Sequence, residues 1–281
     1  MDEAFELERY LPLAFKTKSE QEYIQFLWDA FQSNYTTGKY EFASLAFHLL
    51  YMSYVSFSIW QIRLVREDDF KKALIGFQTE SELKLLDADT PFKFYDKLKE
   101  SQIFRFLKLI GCENDQVGEF AKFVKRRNKI AHPSGTVFFN DQVSIDAEIT
   151  DMMREVTNIE QHMRPIILEV YARFLKESSD IEEREYADPK QEIEVSLIHR
   201  NYISQEDIEI CLAYDIATLN THPNFSEIES LHQCLRDTYS DPDTATPVRP
   251  ALLRQTIIPQ AIPTAETRSP PLPPDPRPVS T

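Results

Sequence analysis

The sequence predicts an all-α fold, and three observations support this prediction. Long segments carry apolar residues at helical spacing, most clearly over residues 149–174. Only five of the 281 residues are glycine, which argues against a sandwich, a barrel or a glycine-rich nucleotide fold. Hydrophobic residues make up 42% of the chain, enough for a sizeable core. This length corresponds to one large or two small domains.

Residues 1–18 are predicted to form a short N-terminal arm. Ser19 followed by Glu22 has the pattern of a capping box, so we expect a helix from Ser19 to about Ser33. A long apolar helix is predicted next, from about Tyr40 to Arg66.

This second helix raises the question of a membrane span. The 21 residues from Phe42 to Ile62 contain no Asp, Glu, Lys or Arg, which satisfies the length needed to cross a bilayer. They also contain His48, four serines, two tyrosines and Gln61. Such a segment is more typical of the central helix of a soluble bundle, so we predict no membrane association.

The middle of the chain is predicted to hold shorter elements and then two longer helices. Thr90 and Pro91 have the pattern of a helix start, and residues 111–115 that of a turn. The following helix should end near His132, because a residue before proline is disfavoured in the α conformation. Residues 137–139 are predicted to form a short extended piece.

The C-terminal half is predicted to continue with helices and to end in a disordered tail. A helix over 145–176, with a kink at Pro165, is followed by an acidic linker at 177–187. Residues 188–239 should form an accessory helical region that includes helices over 205–219 and 225–239. Eleven of the seventeen prolines lie in residues 240–281, which predicts disorder.

Charge and cysteine content limit the class of function. A net charge of −15 argues against broad, nonspecific coating of nucleic acid, although a local basic groove is compatible with it. Cys112, Cys211 and Cys234 are widely spaced and show no disulfide or zinc pattern. The acidic N-terminal residues do not resemble a secretion signal, so we expect a cytoplasmic protein without a metal or cofactor.

One basic segment stands out in this acidic chain, at residues 122–132. On a helical wheel, Arg127 lies in the middle of the apolar arc, where a packed helix would carry a leucine. The other cations of the segment fall on the opposite arc: Lys122, Lys125, Arg126 and Lys129. Because a buried arginine requires a partner, Arg127 should face a carboxylate, an anion such as phosphate, or a wet subunit interface.

Asn128 and His132 lie at the border of the same arc, one helical turn apart. A histidine beside an arginine that can bind phosphate suits acid–base chemistry on RNA, by attack of a ribose 2′-OH on the adjacent phosphate. A purely structural alternative is that His132 caps the helix and Arg127 forms an internal ion pair. His48 either lies near this site or is a core histidine, which is the commoner case.

The residues Arg127-Asn128-Lys129-Ile130-Ala131-His132 match the R-polar-x-x-x-H motif of the HEPN superfamily (higher eukaryotes and prokaryotes nucleotide-binding). The trailing Pro133 and the expected order of helices are also similar to that family. The resemblance covers roughly residues 20–176 and implies a HEPN-like helical bundle over 19–176.

The resemblance further implies a metal-independent endoribonuclease. Arg127 and His132 match the two catalytic positions, and Asn128 matches the polar position that tunes the site. Lys125, Arg126 and Lys129 would line the path of the RNA. Such enzymes act as homodimers with the site at the interface, and many serve as toxins or antiviral effectors, with a regulatory protein or antitoxin as a partner.

A second function class remains open from the sequence alone. Some HEPN-like proteins are not catalytic, and a basic helix can equally serve to bind another molecule. The alternative is therefore a non-catalytic helical interaction module whose basic helix binds an acidic protein or a nucleotide.

Overall fold

In the computed structural model, which describes residues 2–76, 84–132, 139 and 141–240, the regular segments are all helical and no β-strand occurs within these ranges. The predicted all-α class is confirmed. The α-helices are α1 Asp2–Phe5, α2 Lys18–Thr36, α3 Tyr40–Val65, α4 Glu67–Ala73, α5 Glu100–Ile103, α6 Asn114–Ala131, α7 Gln142–Glu177, α8 Pro189–Glu192, α9 Gln205–Leu212 and α10 Phe225–Tyr239. The described ranges also contain five 3₁₀ segments (Glu6–Tyr10, Leu74–Gly76, Pro91–Asp96, Phe104–Ile110 and Ile216–Leu219), one π-helical segment (Ile193–His199) and α-helical residues at 84–86.

Helix α3 is the centre of the bundle, and it packs against α2, α6 and α7. It is long and apolar enough to cross a membrane by length and composition, but 83% of its most apolar window is buried inside the protein. A helix that is apolar all round is expected at such a position, because protein surrounds most of its surface. Burial of this kind fits the core helix of a soluble protein.

Helix α2 begins two residues earlier than predicted. The N-cap is Thr17, whose hydroxyl accepts a hydrogen bond from the Glu20 backbone N–H, while the Glu20 carboxylate accepts one from the Thr17 N–H. The prediction of Ser19 as N-cap is therefore wrong. The helix also continues to Thr36 rather than ending near Ser33.

The boundaries around the basic segment agree with the sequence. Helix α6 ends at Ala131, and His132 has extended backbone angles, φ −98° and ψ 142°, as expected before a proline. Helix α7 spans Gln142–Glu177 and contains Pro165. Pro91 occupies the first turn of a 3₁₀ helix, not of an α-helix. The extended piece expected at 137–139 lies outside the described residues except for Phe139.

The C-terminal helices pack against α7 and against the N-terminal segment. Arg9 Nε donates to Glu206 Oε1 at 2.7 Å, and Gln61 Nε2 donates to Asp207 Oδ2 at 3.1 Å. The described residues all belong to one compact unit. The boundaries proposed at 18, 176, 187 and 239 remain predictions.

Two further expectations concern this half of the chain. Residues 205–219 do not form one helix, because α9 ends at Leu212 and a separate 3₁₀ turn begins at Ile216. Helix α10 agrees with the prediction over 225–239. The proline-rich tail at 241–281 lies outside the described residues.

Candidate functional site

Helix α6 holds the predicted site residues, and its apolar face fixes its orientation. Phe120, Phe123 and Val124 are buried, and the ring of Phe123 meets Tyr51 of α3 edge-on at a centroid distance of 5.8 Å. The N-terminus of the helix is capped by a hydrogen bond from the Glu113 N–H to Gln116 Oε1 at 2.8 Å. These contacts point the last two turns of α6 toward the N-terminal half of α3.

Arg127 turns inward and pairs with a carboxylate, one of the three partners expected from its place on the wheel. Its Nη2 donates to Glu100 Oε1 of α5. The other oxygen of Glu100 lies 3.1 Å from Nε2 of His48, which belongs to α3 and is fully buried. The side chains of Glu100 and Arg127 are 14% and 27% exposed. A carboxylate thus connects an arginine to a histidine at the meeting point of three helices.

The electrostatics of this triad follow from its burial. Burial alone would raise the pKa of Glu100, but the hydrogen bonds from His48 and Arg127 outweigh it and lower that pKa to about 2. Burial lowers the pKa of His48, so its imidazole is neutral at neutral pH. Because a carboxylate can only accept, the proton of the neutral ring lies on Nε2 and is donated to Glu100. Glu100 therefore carries the negative charge that balances Arg127.

Arg126 forms a second ion pair on the other side of the same turn. Its Nη1 lies 3.6 Å from Glu148 Oε1 of α7, and Ser44 Oγ donates to the second oxygen of Glu148 at 2.9 Å. Burial raises the pKa of Glu148, and Ser44 and Arg126 offset part of this shift. The side chain of Arg126 is 39% exposed, in keeping with the solvated face on which the wheel places it, and its position at the border of the apolar arc also lets it reach α7.

The two consecutive arginines thus connect the end of α6 to α5 and to α7 through one ion pair each. Ser44 and His48 lie one turn apart on α3, and each donates to the carboxylate that one arginine contacts. The last turn of α6 is fixed by charge as well as by packing.

The last residue of the motif faces outward. His132 is exposed at the end of α6, and its backbone N–H donates to the Asn128 carbonyl at 3.2 Å. Asn128 is half-buried, whereas Lys125 and Lys129 are exposed as the wheel predicted. Within the described part of the chain no hydrogen bond joins Arg127 to His132, so a single chain holds the arginine fixed and leaves the histidine open to solvent.

Exposed apolar side chains lie on the helices that flank Glu100. Phe26 and Phe42 are 65% and 61% exposed, and Tyr23 and Leu49 are 37% exposed, with half-buried Leu45 between Phe42 and Leu49 on α3. We call these five side chains the apolar surface. Exposed apolar side chains that gather on neighbouring helices mark interaction sites more often than scattered single residues do.

Contacts near Glu100 connect this surface to the triad. Leu49 directly follows His48 in the sequence. Burial raises the pKa of Tyr23 and the charge of Glu100 raises it further, which places the phenol near that carboxylate. The ring of Tyr23 also meets Phe92 at 5.2 Å. The apolar surface therefore borders the site that holds Arg127.

No family model matches the chain. Comparison with curated proteins and with solved structures gives no match either. The resemblance to the HEPN superfamily thus rests on the motif residues and the order of the helices. In the ranges the structure describes, no group of three or more His, Cys, Asp or Glu side chains is arranged to hold a metal ion.

Sequence reasoning missed the carboxylates that complete the site. Glu100 and Glu148 are two of 46 acidic residues, and nothing local distinguishes them. His48 carried a detectable signal, because it is the one titratable imidazole in an otherwise uncharged apolar stretch. The contact that gives it a role is made by a residue 52 positions away.

Proposed function

We propose that this protein is a metal-independent endoribonuclease of the HEPN type, active as a cytoplasmic homodimer on single-stranded or tRNA-like RNA. The observation that carries the proposal is the arrangement at the end of α6. Arg127 is fixed by Glu100, and an exposed histidine, His132, ends the same helix. A preorganised cation and an exposed imidazole are the two kinds of group that cleavage of a phosphodiester without a metal would use.

The proposed reaction is an internal transfer at phosphorus. A base removes the proton of the ribose 2′-OH, the 2′ oxygen bonds to the adjacent phosphorus, and the bond to the 5′ oxygen breaks. An acid protonates the leaving 5′ oxygen, which yields a 2′,3′-cyclic phosphate and a 5′-hydroxyl. Arg127 would stabilise the negative charge on the phosphate, and its pairing with Glu100 means that little reorganisation is needed.

A second chain supplies what one chain lacks. Base and acid are two roles, and each chain offers one histidine of the motif, so a two-fold dimer brings two copies of His132. The apolar surface beside the triad supports this assembly, because pairing would remove the rings of Phe26 and Phe42 from water. Asn128 lies between Arg127 and His132 in the sequence and would orient the phosphate.

The path of the RNA would follow the cations of α6. Lys125 and Lys129 are exposed and free to contact phosphates, and Arg126 would contribute from the edge. The net charge of −15 repels nucleic acid elsewhere, which would restrict RNA to this strip. A role as a toxin or antiviral effector, controlled by a regulatory protein or antitoxin, is part of the same proposal.

One observation favours a second candidate, a non-catalytic interaction module. Both arginines at the end of α6 already have carboxylate partners inside the chain. In that case the ion pairs are structural, and the exposed lysines and the apolar surface bind a partner protein or nucleotide.

Cleavage of RNA in excess EDTA separates the two candidates. The purified full chain is incubated with total RNA beside His132→Ala and Arg127→Ala, and the ends of the products are analysed. We expect 2′,3′-cyclic phosphate ends from the wild type and at least a hundredfold loss of rate in both variants, which is typical of removing an acid–base or charge-stabilising group.

His132 is exposed, so His132→Ala should fold normally, and His222→Ala provides a control at a histidine far along the chain. Arg127→Ala leaves Glu100 without its cation, so its circular dichroism must be compared with that of the wild type. If RNA stays intact, or if His132→Ala cleaves as fast as the wild type, the nuclease proposal is wrong and the interaction module is favoured.

A further inference from the structure

A cavity of about 430 Å³ lies at the C-terminal end of α7, away from the motif of α6. Leu64, Val170 and Phe174 form an apolar wall. Sites for small molecules in proteins have volumes of about 300–1,000 Å³, are partly apolar and carry a few placed polar groups. The cavity has the size and the wall of such a site.

Arg184 is the buried cation of this cavity. Its side chain is only 5% exposed. Its Nη2 donates to the Ala187 carbonyl, and its Nη1 lies 3.8 Å from Glu227 Oε2, which is too far for a hydrogen bond. Among the described residues, Nε and Nη1 have no hydrogen-bond partner. A buried guanidinium with uncommitted N–H groups is costly, and an anionic group in the cavity would satisfy it.

The cavity also offers uncommitted acceptors. Glu177 and Glu183 line it, and neither forms a salt bridge within the described ranges. A third carboxylate, Glu192, is 2% exposed and accepts from Ser178 Oγ at 2.6 Å and from the Tyr186 N–H at 3.0 Å. Three arginines and four glutamates line the cavity, so its charge disfavours a polyanion such as a nucleoside triphosphate.

The floor of the cavity includes a π-helical segment, Ile193–His199. Ser196 of this segment lines the cavity, is 7% exposed, and its Oγ has no hydrogen-bond partner in the described part of the chain. π-helical turns are rare and occur frequently at functional sites. The hydroxyl of Ser196 and two N–H groups of Arg184 are therefore buried at this cavity without hydrogen-bond partners, which indicates that the site is incomplete without a ligand.

We propose that this cavity binds a small zwitterion with an apolar side group, which is the chemistry of a free amino acid. Its carboxylate would contact Arg173 and Arg184, its ammonium group would contact Glu177 and Glu183, and its side chain would pack on Phe174. Because Nε and Nη1 of Arg184 are covered, this contact would require the turns at 178–188 to move. This inference does not depend on the nuclease proposal.

Calorimetric titration of the full chain with apolar L-amino acids tests the proposal. The probes are leucine, isoleucine, methionine, phenylalanine and tryptophan. The N-acetyl derivative and the amide of each probe serve as matched molecules that lack one charge. We expect saturable binding of at least one probe with one site per chain, and binding at least about tenfold weaker for both of its derivatives, since each loses a charged hydrogen bond. Absence of saturable binding at millimolar concentration, or equal binding of an N-acetyl derivative, would overturn the proposal.

Variants place the binding at this cavity. Arg173→Gln and Arg184→Gln should each weaken binding of the best probe by about tenfold or more. Arg173 is exposed, so its replacement leaves folding intact even if that of Arg184 does not. Arg164→Gln, an exposed arginine on the same helix outside the cavity, is the control and should bind as the wild type does. Unchanged affinity in Arg173→Gln and in folded Arg184→Gln would contradict the assignment.

Discussion

At the scale of single residues, Glu100 is the group on which the site depends. It lies between a fully buried neutral imidazole, His48, and the guanidinium of Arg127. Removal of its charge would leave Arg127 facing a low-dielectric region without compensation, which is strongly destabilising. The same carboxylate therefore contributes both to stability and to the orientation of the arginine.

Glu100→Gln should lower the free energy of unfolding at pH 7 by about 2 kcal/mol, less than for a fully buried pair because Arg127 is partly exposed. The lowered pKa of Glu100 means that its contribution is complete above the ordinary value of 4.5 and is lost as pH falls toward about 2. Urea denaturation of wild type and variant from pH 7 to pH 2 measures both effects. The difference between the two proteins should shrink across this range.

The control for this prediction is Glu119→Gln, which removes an exposed carboxylate that pairs with Lys122 on the surface of α6. Such pairs contribute at most about 1 kcal/mol, so this variant should unfold almost as the wild type does. A pH-independent difference for Glu100→Gln would show that its charge does not act as described.

The position of Arg127 could be inferred from the sequence, but its partner could not. Helical periodicity fixes which side of α6 an arginine occupies, because 100° per residue is a local property. Glu100 and Glu148 reach α6 only through the packing of α5 and α7, which no local pattern encodes. The contact of Arg126 with Glu148 could not be inferred for the same reason, since Glu148 lies on another helix.

At the scale of elements, the start of α2 shows two competing local signals. Thr17 with Glu20 and Ser19 with Glu22 both have the capping-box spacing. Tertiary contacts favour the first pair, because Glu20 is buried and also accepts from the hydroxyls of Tyr202 and Thr90. The sequence locates the start of α2 to within two residues, but it does not distinguish Thr17 from Ser19 as the N-cap.

Replacement of each candidate cap tests this choice. Thr17→Ala should destabilise the protein by about 1 kcal/mol, the usual cost of losing an N-cap hydroxyl. Ser19→Ala should change the stability little, since Ser19 is an exposed helical residue. Thermal unfolding monitored by circular dichroism compares the two. A larger effect of Ser19→Ala would mean that the helix begins at Ser19 after all.

Long helices were predicted well because their signal extends over many residues, as apolar periodicity in α7 and as a long uncharged apolar run in α3. Short elements were predicted less well. One helix was expected over residues 205–219, and the structure has a helix and a separate turn there. Asp215 can accept from the Ala217 N–H at 3.1 Å and start a separate 3₁₀ turn, which competes with continuation of the helix over so few residues.

At the scale of the whole molecule, buried acids connect the N-terminal helices to the C-terminal ones. Asp207 of α9 is 4% exposed and accepts from Gln61 of α3 and from the Ser204 N–H. Glu160 of α7 accepts from the Tyr54 hydroxyl at 3.3 Å. Burial raises the pKa of both carboxyls, and the nearby charge of Asp207 raises the pKa of Glu160 further. The junction of α3, α7 and α9 therefore favours a protonated acid.

This arrangement predicts that stability decreases as pH rises. The unfolded chain loses the Glu160 proton near its ordinary pKa, whereas the folded protein retains it to higher pH, so stability falls above about pH 5. Glu160→Gln removes this loss and should be more stable than the wild type at pH 8 by about 1 kcal/mol. Urea denaturation of both proteins at pH 5 and pH 8 measures this difference in stability. Asp151→Asn, a surface change on the same helix, should show no such pH dependence.

The assembly state decides how much of the proposed site a single chain can provide. The apolar surface borders Glu100, and its largest exposed members, Phe26 and Phe42, lie on adjacent antiparallel helices. Two copies of this surface facing each other across a two-fold axis would be self-complementary, and its apolar centre would let two chains of charge −15 approach.

Sedimentation equilibrium should therefore show a dimer for the wild type and a monomer for Phe42→Glu, because a carboxylate in the centre of the interface would lose its hydration without gaining a partner. Ile75→Glu is the matched control, since Ile75 is 74% exposed but belongs to a different segment, and it should remain dimeric. RNA cleavage should be lost with the dimer in Phe42→Glu and retained in Ile75→Glu. A monomeric wild type that nevertheless cleaves RNA would exclude a composite site, and a dimer that survives Phe42→Glu would place the interface elsewhere.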